Sequence, residues 1–514
     1  MSDTPANPQS GALPDGERSS ATTIDEDARQ LAALGYESHF SRTMSLAANF
    51  SLGFTYLSPL VGVYTLFAFV VATGGPAAFW TYPVAMAGQF LVALIFAEVL
   101  SQYPIAGGPY PWALRLWGRR YAWITGWMYM WALLITIAGV AYGAGLFAGA
   151  LFGVEASPGW DIAVALVLLA IAGAINFSGT KNLSRAVTGG FAAEIIGVAA
   201  IGLYLILFRH ENSFGVLFNT FGTQGHGSYL PAFLAAGLGA VFLFFGFEAC
   251  GDLAEEVPNA SRSVPRATLL TILVGGSMAI LAMLGFILAV PDIGAVISGK
   301  DADPIGTVLG DAFGTVGSKV ALVIALIAFL SCTLSLQAAA SRMIYSYARD
   351  QMIAGSSLLG RFSERLHIPP VATAAAVGIP ALVVLVFGTS PQALTYIISF
   401  AVLAIYVAFQ LVVFAALVAR VRGWRPAGKW TLGRWGPLVN VAALVYGVAA
   451  GINLAYPRTP DVPWYQNYSV LLGTGVVLFV GLIYLLVARA ADHLDVPAGD
   501  AIPGSRERSR AGAP

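Results

Sequence analysis

The sequence predicts an all-α polytopic membrane protein with twelve transmembrane helices. Of its 514 residues, 57% are hydrophobic and 11% are charged, and the mean hydropathy is +0.74. Soluble domains contain roughly 25% charged residues, so this composition excludes an ordinary soluble protein. The 27 basic and 27 acidic residues cancel, which leaves no net charge to attract nucleic acid. The two cysteines provide neither a disulfide framework nor a zinc-binding pattern.

The chain begins with a polar tail, residues 1–45, which contains no apolar run resembling a signal peptide. We expect this tail to be cytoplasmic, disordered over its first half and followed by a short amphipathic piece at 28–34. A second cytoplasmic, disordered tail is expected at 491–514. Between the tails lie apolar stretches, each near the roughly 20 residues that a helix needs to cross the hydrocarbon core. They are 49–72, 77–102, 121–151, 161–178, 186–208, 230–253, 266–290, 318–340, 371–389, 392–418, 435–455 and 466–488.

Basic residues predict the orientation of these spans. When both termini are placed in the cytoplasm, nearly all of the 27 basic residues fall on the cytoplasmic side, as the positive-inside rule requires. The exceptions are Arg209, Lys300, Lys319 and Arg458. Because one missed helix would reverse every later loop, this agreement also supports the count of twelve spans.

Two spans contain helix-breaking residues near the middle of the membrane. Span one contains the stretch Ser58-Pro-Leu-Val-Gly62, in which Pro59 lacks a backbone donor and clashes with the preceding turn. Span six contains Glu248 between two glycines. A freed backbone group or a carboxylate in hydrocarbon is costly unless protein, water or a ligand satisfies it. One interrupted helix in each half of a chain is typical of inverted-repeat transporters; for span one, a simple proline kink is the alternative.

Four segments, in this order along the chain, carry a resemblance to a known family. They are Leu31-Ala-Ala-Leu-Gly-Tyr36 with Phe40-Ser-Arg42, Glu98 with Tyr103-Pro-Ile-Ala-Gly-Gly-Pro-Tyr-Pro-Trp112, Gly246-Phe-Glu248 with Glu255-Glu-Val-Pro-Asn-Ala-Ser-Arg-Ser-Val-Pro-Arg266, and Ser341-Arg-Met343 with Ala348-Arg-Asp350. The chain thereby resembles the amino acid–polyamine–organocation superfamily, and more narrowly its amino acid/choline transporter branch of GABA and choline permeases.

The resemblance implies a LeuT-like fold that works by alternating access. Helices one and six would be broken, and two inverted repeats of five helices, 46–210 and 229–420, would be followed by two extra helices at 433–490. In that family the substrate lies at the unwound parts of spans one and six. Carried over, these are Ser58, Pro59, Leu60, Val61 and Gly62, and Phe245, Gly246, Phe247, Glu248, Ala249 and Gly251.

The first of these stretches departs from the family pattern. Many amino-acid members have a Gly-Ser-Gly-type sequence in span one, and its free amides hold the substrate carboxylate. Ser-Pro-Leu-Val-Gly offers fewer donors. An ω-amino acid, an amine or choline is therefore favoured as substrate.

Glu248 is the first candidate for function, as the acceptor of a substrate ammonium or as the carrier of a coupled proton. Phe245 and Phe247 would flank an alkylammonium by cation–π contact, unless they are plain packing residues. The alternative for Glu248 is a neutral side chain that bonds to a neighbouring helix.

Coupling to an ion has two sets of candidate residues. Glu194 lies inside span five, a helix on which relatives carry a proton through a lysine, and its alternative is a structural role. Span eight carries Ser331, Thr333 and Ser335, where sodium-coupled relatives keep oxygen ligands. Because hydroxyls in membrane helices usually bond to their own helix, the sequence favours a proton over Na+.

Six charged residues at the inner membrane edge are candidates for a cytoplasmic gate made of ion pairs. Exposed pairs contribute only about 0–1 kcal/mol each, so such a gate must be partly dehydrated. The alternative is a set of solvated loop charges. The six residues are Glu98, Glu255, Glu256, Arg342, Arg349 and Asp350.

These observations predict a plasma-membrane permease for an amino acid or a small amine. The expected partners are that substrate, a coupling H+ or Na+ and the lipid bilayer; no nucleic acid, cofactor, resident metal or catalytic residue is expected, because no catalytic or nucleotide-binding motif is present. A choline or polyamine transporter, a substrate exchanger and a non-transporting nutrient sensor are the alternatives. The sequence leaves open the exact substrate, the coupling ion, symport against exchange, and the oligomeric state.

Overall fold

The computed structural model describes residues 26–155, 157–225, 227–492 and 496–503, the side chains of 391–397 excepted, and it is built from α-helices. Over that range no β-strand forms beyond an isolated bridge between Ser363 and Ile368. Within the described residues, eleven helices have the length and the apolar composition to cross a membrane, and a shorter apolar helix lies at the sixth predicted span. The all-α polytopic class is therefore confirmed, whereas the count of twelve and the inverted repeat stay predictions.

Long helices form the body of the protein, and short ones lie in the connections between them. In chain order they are α1 (26–33), α2 (Leu46–Leu57), α3 (Pro59–Gly74), α4 (Thr81–Gln102), α5 (Pro109–Leu116), α6 (Arg119–Phe152), α7 (Pro158–Phe177), α8 (Thr180–Phe208), α9 (Leu230–Leu243), α10 (Ala249–Asp252), α11 (Ala260–Leu270), α12 (Gly276–Ala289), α13 (Ile293–Ile297), α14 (Pro304–Arg349, bent at Gly314), α15 (Ser356–Leu359), α16 (Pro370–Phe387), α17 (Pro391–Val421), α18 (Gly436–Ala455), α19 (Trp464–Asn467) and α20 (Ser469–Val487).

The broken helices lie in the interior of the bundle. Helix α2 packs against α8 and α14, and α3 packs against α9 and α14. By contrast, most residues in the apolar windows of α16, α18 and α20 are not buried by other helices, as expected for helices whose side chains face lipid. Any polar side chain at the breaks is therefore shielded by other helices.

The break in span one is confined to one residue. Ser58 has a left-handed backbone (φ 41°, ψ 86°), and Pro59 occupies the first position of α3. Proline is well suited to that position, because its missing N–H has no partner there in any case. The stretch predicted to be unwound was too long: Pro59, Leu60, Val61 and Gly62 form the first turn of α3, and the interruption precedes them.

The break in span six is longer. Helix α9 ends at Leu243, residues 244–248 are non-helical, and α10 begins at Ala249. Ala249 and Gly251 therefore lie in a helical turn, not in the unwound stretch that the sequence predicts. Gly246 has a φ of 111°, a conformation that only glycine adopts readily. A Cβ on Gly246 would lie 2.8 Å from the backbone nitrogen of Leu57, so the two breaks touch each other.

The two ends of the chain differ from the tails that the sequence predicts. Residues 26–33 form a helix, as expected for the amphipathic piece, and Leu31, Tyr36 and Phe40 are buried against the bundle. Residues 496–503 lie within the predicted disordered tail, yet they contact α5 through a backbone hydrogen bond from Gly499 to Leu114. Residues 1–25 and 504–514 lie outside the described residues.

Candidate functional site

The contact between the two breaks brings together the predicted substrate residues. Phe245 lies beside Tyr56, with ring centroids 6.2 Å apart, so an aromatic wall is present at the break of span six. Phe247 instead packs between Phe96 and Phe409, at 5.9 and 5.6 Å. The packing alternative therefore describes Phe247, and Phe245 alone keeps a position suited to a ligand.

Glu248 is fully buried directly after the second break. Its Oε2 accepts a hydrogen bond from the amide of Gly246 at 2.8 Å, and its Oε1 lies 3.4 Å from the hydroxyl of Tyr129. The same hydroxyl donates to Oδ2 of Asp252 at 2.7 Å. Asp252 is also fully buried, and its Oδ1 has no hydrogen-bond partner among the described residues. Two carboxylates thus share a single hydroxyl in the interior.

These two carboxylates have no cationic partner in the described part of the chain. Each buried arginine that forms an ion pair there does so with another acid, and none reaches Glu248 or Asp252. A buried charge without a partner costs far more free energy than a paired one. The arrangement therefore favours a proton or a cationic ligand between the two acids.

Sequence reasoning missed Asp252 and Tyr129. A signal for Asp252 exists, because positions four apart lie on the same face of a helix and Asp252 follows Glu248 by four. Tyr129 gives no such signal, since it is one of several tyrosines and tryptophans in a long apolar helix. Only the packing of α6 against the second break identifies it.

Glu194 of α8 reaches the break of span one. Its Oε1 accepts hydrogen bonds from Oγ of Ser58 at 2.7 Å and from the amide of Leu60 at 3.1 Å. The carboxylate thus caps the amino end of α3, where the helix dipole favours an anion. Glu194 is fully buried, and its Oε2 has no hydrogen-bond partner among the described residues.

The three hydroxyls predicted on span eight do not converge. Oγ of Ser335 lies 2.8 Å from Oγ1 of Thr55 on α2, and Ser331 donates to the carbonyl of Ile327 one turn back in its own helix. Thr333 lies two residues from each and therefore points to a different face of α14. Of the three, Ser335 alone forms a hydrogen bond to the broken helix. No group of three or more His, Cys, Asp or Glu side chains suited to a metal ion occurs in the described ranges.

The predicted inner edge holds two buried ion pairs that link the segment after α10 to α14. Arg342 donates from Nε to Glu256 at 2.7 Å, and the guanidinium of Arg349 forms two hydrogen bonds with Glu255, at 3.1 and 3.2 Å. Both glutamates are almost fully buried. The alternative of solvated loop charges is wrong for these four residues.

Glu98 and Asp350 have other partners. Glu98 forms an ion pair with Arg420 of α17 and accepts a hydrogen bond from the amide of Leu432 at 2.8 Å. Asp350 accepts hydrogen bonds from the hydroxyls of Tyr36 and Tyr110, at 2.9 and 2.7 Å. Burial raises the pKa of the Asp350 carboxyl above its ordinary value, although nearby Arg349 and the two hydroxyls act in the opposite direction. Glu98 therefore pairs outside the predicted set, and Asp350 is held by two tyrosines that the sequence did not indicate.

Comparison with known proteins agrees with this architecture. The amino acid permease family profile matches residues 44–479. The chain is 28% identical to a rice protein named as a homolog of the amino-acid permease BAT1, over 90% of this chain and 94% of that one. It is 26% identical to the amino-acid permease BAT1 of Arabidopsis thaliana, over 92% and 97% of the two chains. A putative amino acid/polyamine transporter of Macrophomina phaseolina is 25% identical, over 79% and 93%.

Proposed function

This chain belongs to the amino acid permease family, and from that premise we propose that it takes up its substrate across the plasma membrane by alternating access at the two helix breaks. It is a multi-pass membrane protein and a transporter of amino acids or amines, not an enzyme. The proposal places the substrate ammonium beside Glu248 and Asp252. Both termini are placed in the cytoplasm on the basis of the basic residues.

One observation carries the substrate site. Glu248 and Asp252 are buried one helical turn apart, at the point where two helices are interrupted, and no basic side chain of the described residues pairs with either. A substrate ammonium would supply the missing positive charge and would donate a hydrogen bond to Oδ1 of Asp252, which has no partner among the described residues. Phe245, whose ring lies beside Tyr56, adds an aromatic face at the same break.

The inner ion pairs support the proposed cytoplasmic gate. They join residues 255–256, which follow the second break, to α14, so movement of that segment away from α14 must separate Glu255 from Arg349 and Glu256 from Arg342. Breaking a buried pair without replacing it costs about 3–5 kcal/mol. The pairs therefore hold the cytoplasmic side closed until water enters to solvate the separated charges.

We propose Glu194 as the residue that couples transport to protons. Its buried carboxylate caps α3 through Ser58 and Leu60, so the protonation of Glu194 would weaken the hydrogen bond to the Leu60 amide and loosen the break. Ser335 and Thr55 are the competing candidates for a sodium ligand set. Uptake into proteoliposomes driven by a proton gradient or by a sodium gradient separates the two.

The test of the substrate site is Glu248→Gln, which keeps the size of the side chain and removes its charge. Loss of one partner of a buried charge pair costs about 2–5 kcal/mol, so uptake at low substrate concentration is expected to fall at least roughly 30-fold. The measurement is uptake of amines and amino acids by purified protein in proteoliposomes.

The matched control is Glu211→Gln, the same change at an exposed loop residue, which is expected to leave uptake unchanged. Wild-type uptake by Glu248→Gln would contradict the assignment of the ammonium site. Substrate binding without any flux in the wild type would favour a nutrient sensor over a permease.

A further inference from the structure

We infer that the substrate of this transporter is an amine without an α-carboxylate, because Glu194 already occupies the place at which a substrate carboxylate would bind. The inference rests on the proposed function, which places the substrate at the two helix breaks. It narrows the substrate class from amino acids or amines to amines alone, and it makes Glu194 a residue that determines specificity.

The amino end of α3 is the natural anion site at these breaks. It is the start of a 16-residue helix at the interior break, and the free amides and dipole of such an end attract a carboxylate. In this chain the amides of the first turn of α3 already donate hydrogen bonds to groups of the protein itself. Pro59 has no N–H, the amide of Leu60 donates to Glu194 at 3.1 Å, the amide of Val61 donates to Oγ of Ser58 at 3.3 Å, and the amide of Gly62 donates to the Ser58 carbonyl at 3.1 Å.

The carboxylate that fills this end belongs to the protein itself. Glu194 is fully buried and is also held by Oγ of Ser58 at 2.7 Å. A substrate carboxylate at the same helix end would have to displace it or would lie beside it as a second buried anion. Like charges in a buried site repel strongly. A zwitterionic amino acid therefore meets an unfavourable environment for its anionic end.

The second break adds to the same preference. Glu248 and Asp252 are acids, and the amide of Gly246 between the breaks already donates to Glu248 at 2.8 Å. No arginine or lysine forms an ion pair with Glu194, Glu248 or Asp252 in the described residues. The two breaks thus present three acids that could bind a cation. Among the described residues, no basic side chain that could instead bind an anion pairs with these acids.

The experiment compares amines with the amino acids that differ from them only by the α-carboxylate. The pairs are cadaverine and lysine, agmatine and arginine, and putrescine and ornithine. Binding to the purified, full-length protein is measured by competition against whichever labelled amine binds tightest. We expect the amine of at least one pair to bind at least about tenfold more tightly than its amino acid.

The variant Glu194→Gln tests whether the charge of Glu194 causes the preference for amines, because glutamine keeps an acceptor oxygen but carries no charge. Binding is the readout, since a coupling role of Glu194 would stop uptake for a separate reason. The amine-to-amino-acid ratio of affinities is expected to fall at least about tenfold in Glu194→Gln. The control Glu211→Gln makes the same change at an exposed loop residue away from the breaks, and is expected to retain the wild-type ratio within about threefold.

The possible outcomes are distinct. If the amino acid binds as tightly as the amine in every pair, or if Glu194→Gln leaves the ratio unchanged, the inference is overturned while the proposed function stands. If neither member of any pair binds and neither is transported, the proposed function fails as well. The wild-type comparison stands even if Glu194→Gln does not fold.

Discussion

Tyr129 shows how one side chain organises the acids at the second break. Its hydroxyl lies 2.7 Å from Asp252 and 3.4 Å from Glu248, so among the described residues it links the two acids. Neither acid is exposed to solvent in this conformation. The hydroxyl thereby fixes the positions of two carboxylates that otherwise have few partners, so that both can face the same ligand.

We expect Tyr129→Phe to weaken substrate binding without unfolding the protein. A hydrogen bond to a charged group contributes about 1.5–3 kcal/mol, so KM for uptake is expected to rise roughly tenfold or more. The measurement is the concentration dependence of uptake in proteoliposomes. The control is Tyr64→Phe, which removes another buried hydroxyl, one that has no hydrogen-bond partner in the described residues. Equal KM values for the two variants would contradict the organising role of Tyr129.

The two breaks have different physical causes at the level of the helices. The first follows from Pro59, which ends one helix and starts the next with one left-handed residue between them. The second has no proline and depends on Gly246, whose positive φ brings the chain against the backbone of Leu57. The contact between the breaks is thus a backbone contact, which leaves no space for a side chain.

Gly246→Ala is expected to abolish transport. Its Cβ would lie 2.8 Å from the nitrogen and 3.0 Å from the Cα of Leu57, and because both are backbone atoms the two breaks must move apart. The backbone strain adds about 1 kcal/mol or more, because alanine disfavours the left-handed region. Uptake at saturating substrate, together with thermal stability in detergent, is the measurement.

The control for this substitution is Gly189→Ala, on the exposed face of α8, where a Cβ meets no atom within 4 Å. It is expected to keep full uptake and to gain up to about 1 kcal/mol of helix stability. Normal uptake by Gly246→Ala would show that the two breaks do not need to touch.

At the scale of the whole molecule, the two ends of the chain close the proposed cytoplasmic face together. Arg115 of α5 is fully buried, forms an ion pair with Asp500 at 3.1 Å and also donates to the carbonyl of Leu34. Asp27 accepts a hydrogen bond from the amide of Asn259 at 2.6 Å, next to the proposed cytoplasmic end of span six. A segment near each terminus is therefore held against the bundle on the proposed cytoplasmic side, and we expect both segments to move when that side opens.

We expect Asp500→Asn to loosen this closure. It leaves the buried guanidinium of Arg115 without its anionic partner, a change that typically costs about 3–5 kcal/mol. Cys250, which is buried in α10, can report the opening through its rate of labelling by a maleimide in a Cys332→Ser background. The labelling rate is expected to increase several-fold and the melting temperature to decrease.

The matched control is Glu364→Gln, which removes the exposed partner of His39 and is expected to change neither quantity, because exposed pairs contribute little. If Asp500→Asn labels at the wild-type rate and melts at the wild-type temperature, the C-terminal segment does not hold the inner face closed.

Much of the architecture follows from local sequence. The apolar helices, the break at Pro59 and the helix at 26–33 are determined by residues that lie next to each other in the chain, because in a membrane each helix must satisfy its own backbone hydrogen bonds. Charge pattern likewise predicts that Glu255, Glu256, Arg342 and Arg349 share one edge of the membrane. Their pairing then requires only that the helix ends on that edge meet.

The tertiary structure alone decided which distant groups touch. Glu98 pairs with Arg420, 322 residues away, Glu194 caps the break at Ser58, 136 residues away, and Tyr129 meets Asp252 across 123 residues. These contacts depend on how helices rotate and pack against one another, and hydrophobic patterns do not specify that rotation when a helix is apolar on all sides. The composition of the sequence therefore determined that the chain is a membrane protein, and its helix-breaking residues predicted a transporter, while packing decided which acids lie together at the two breaks.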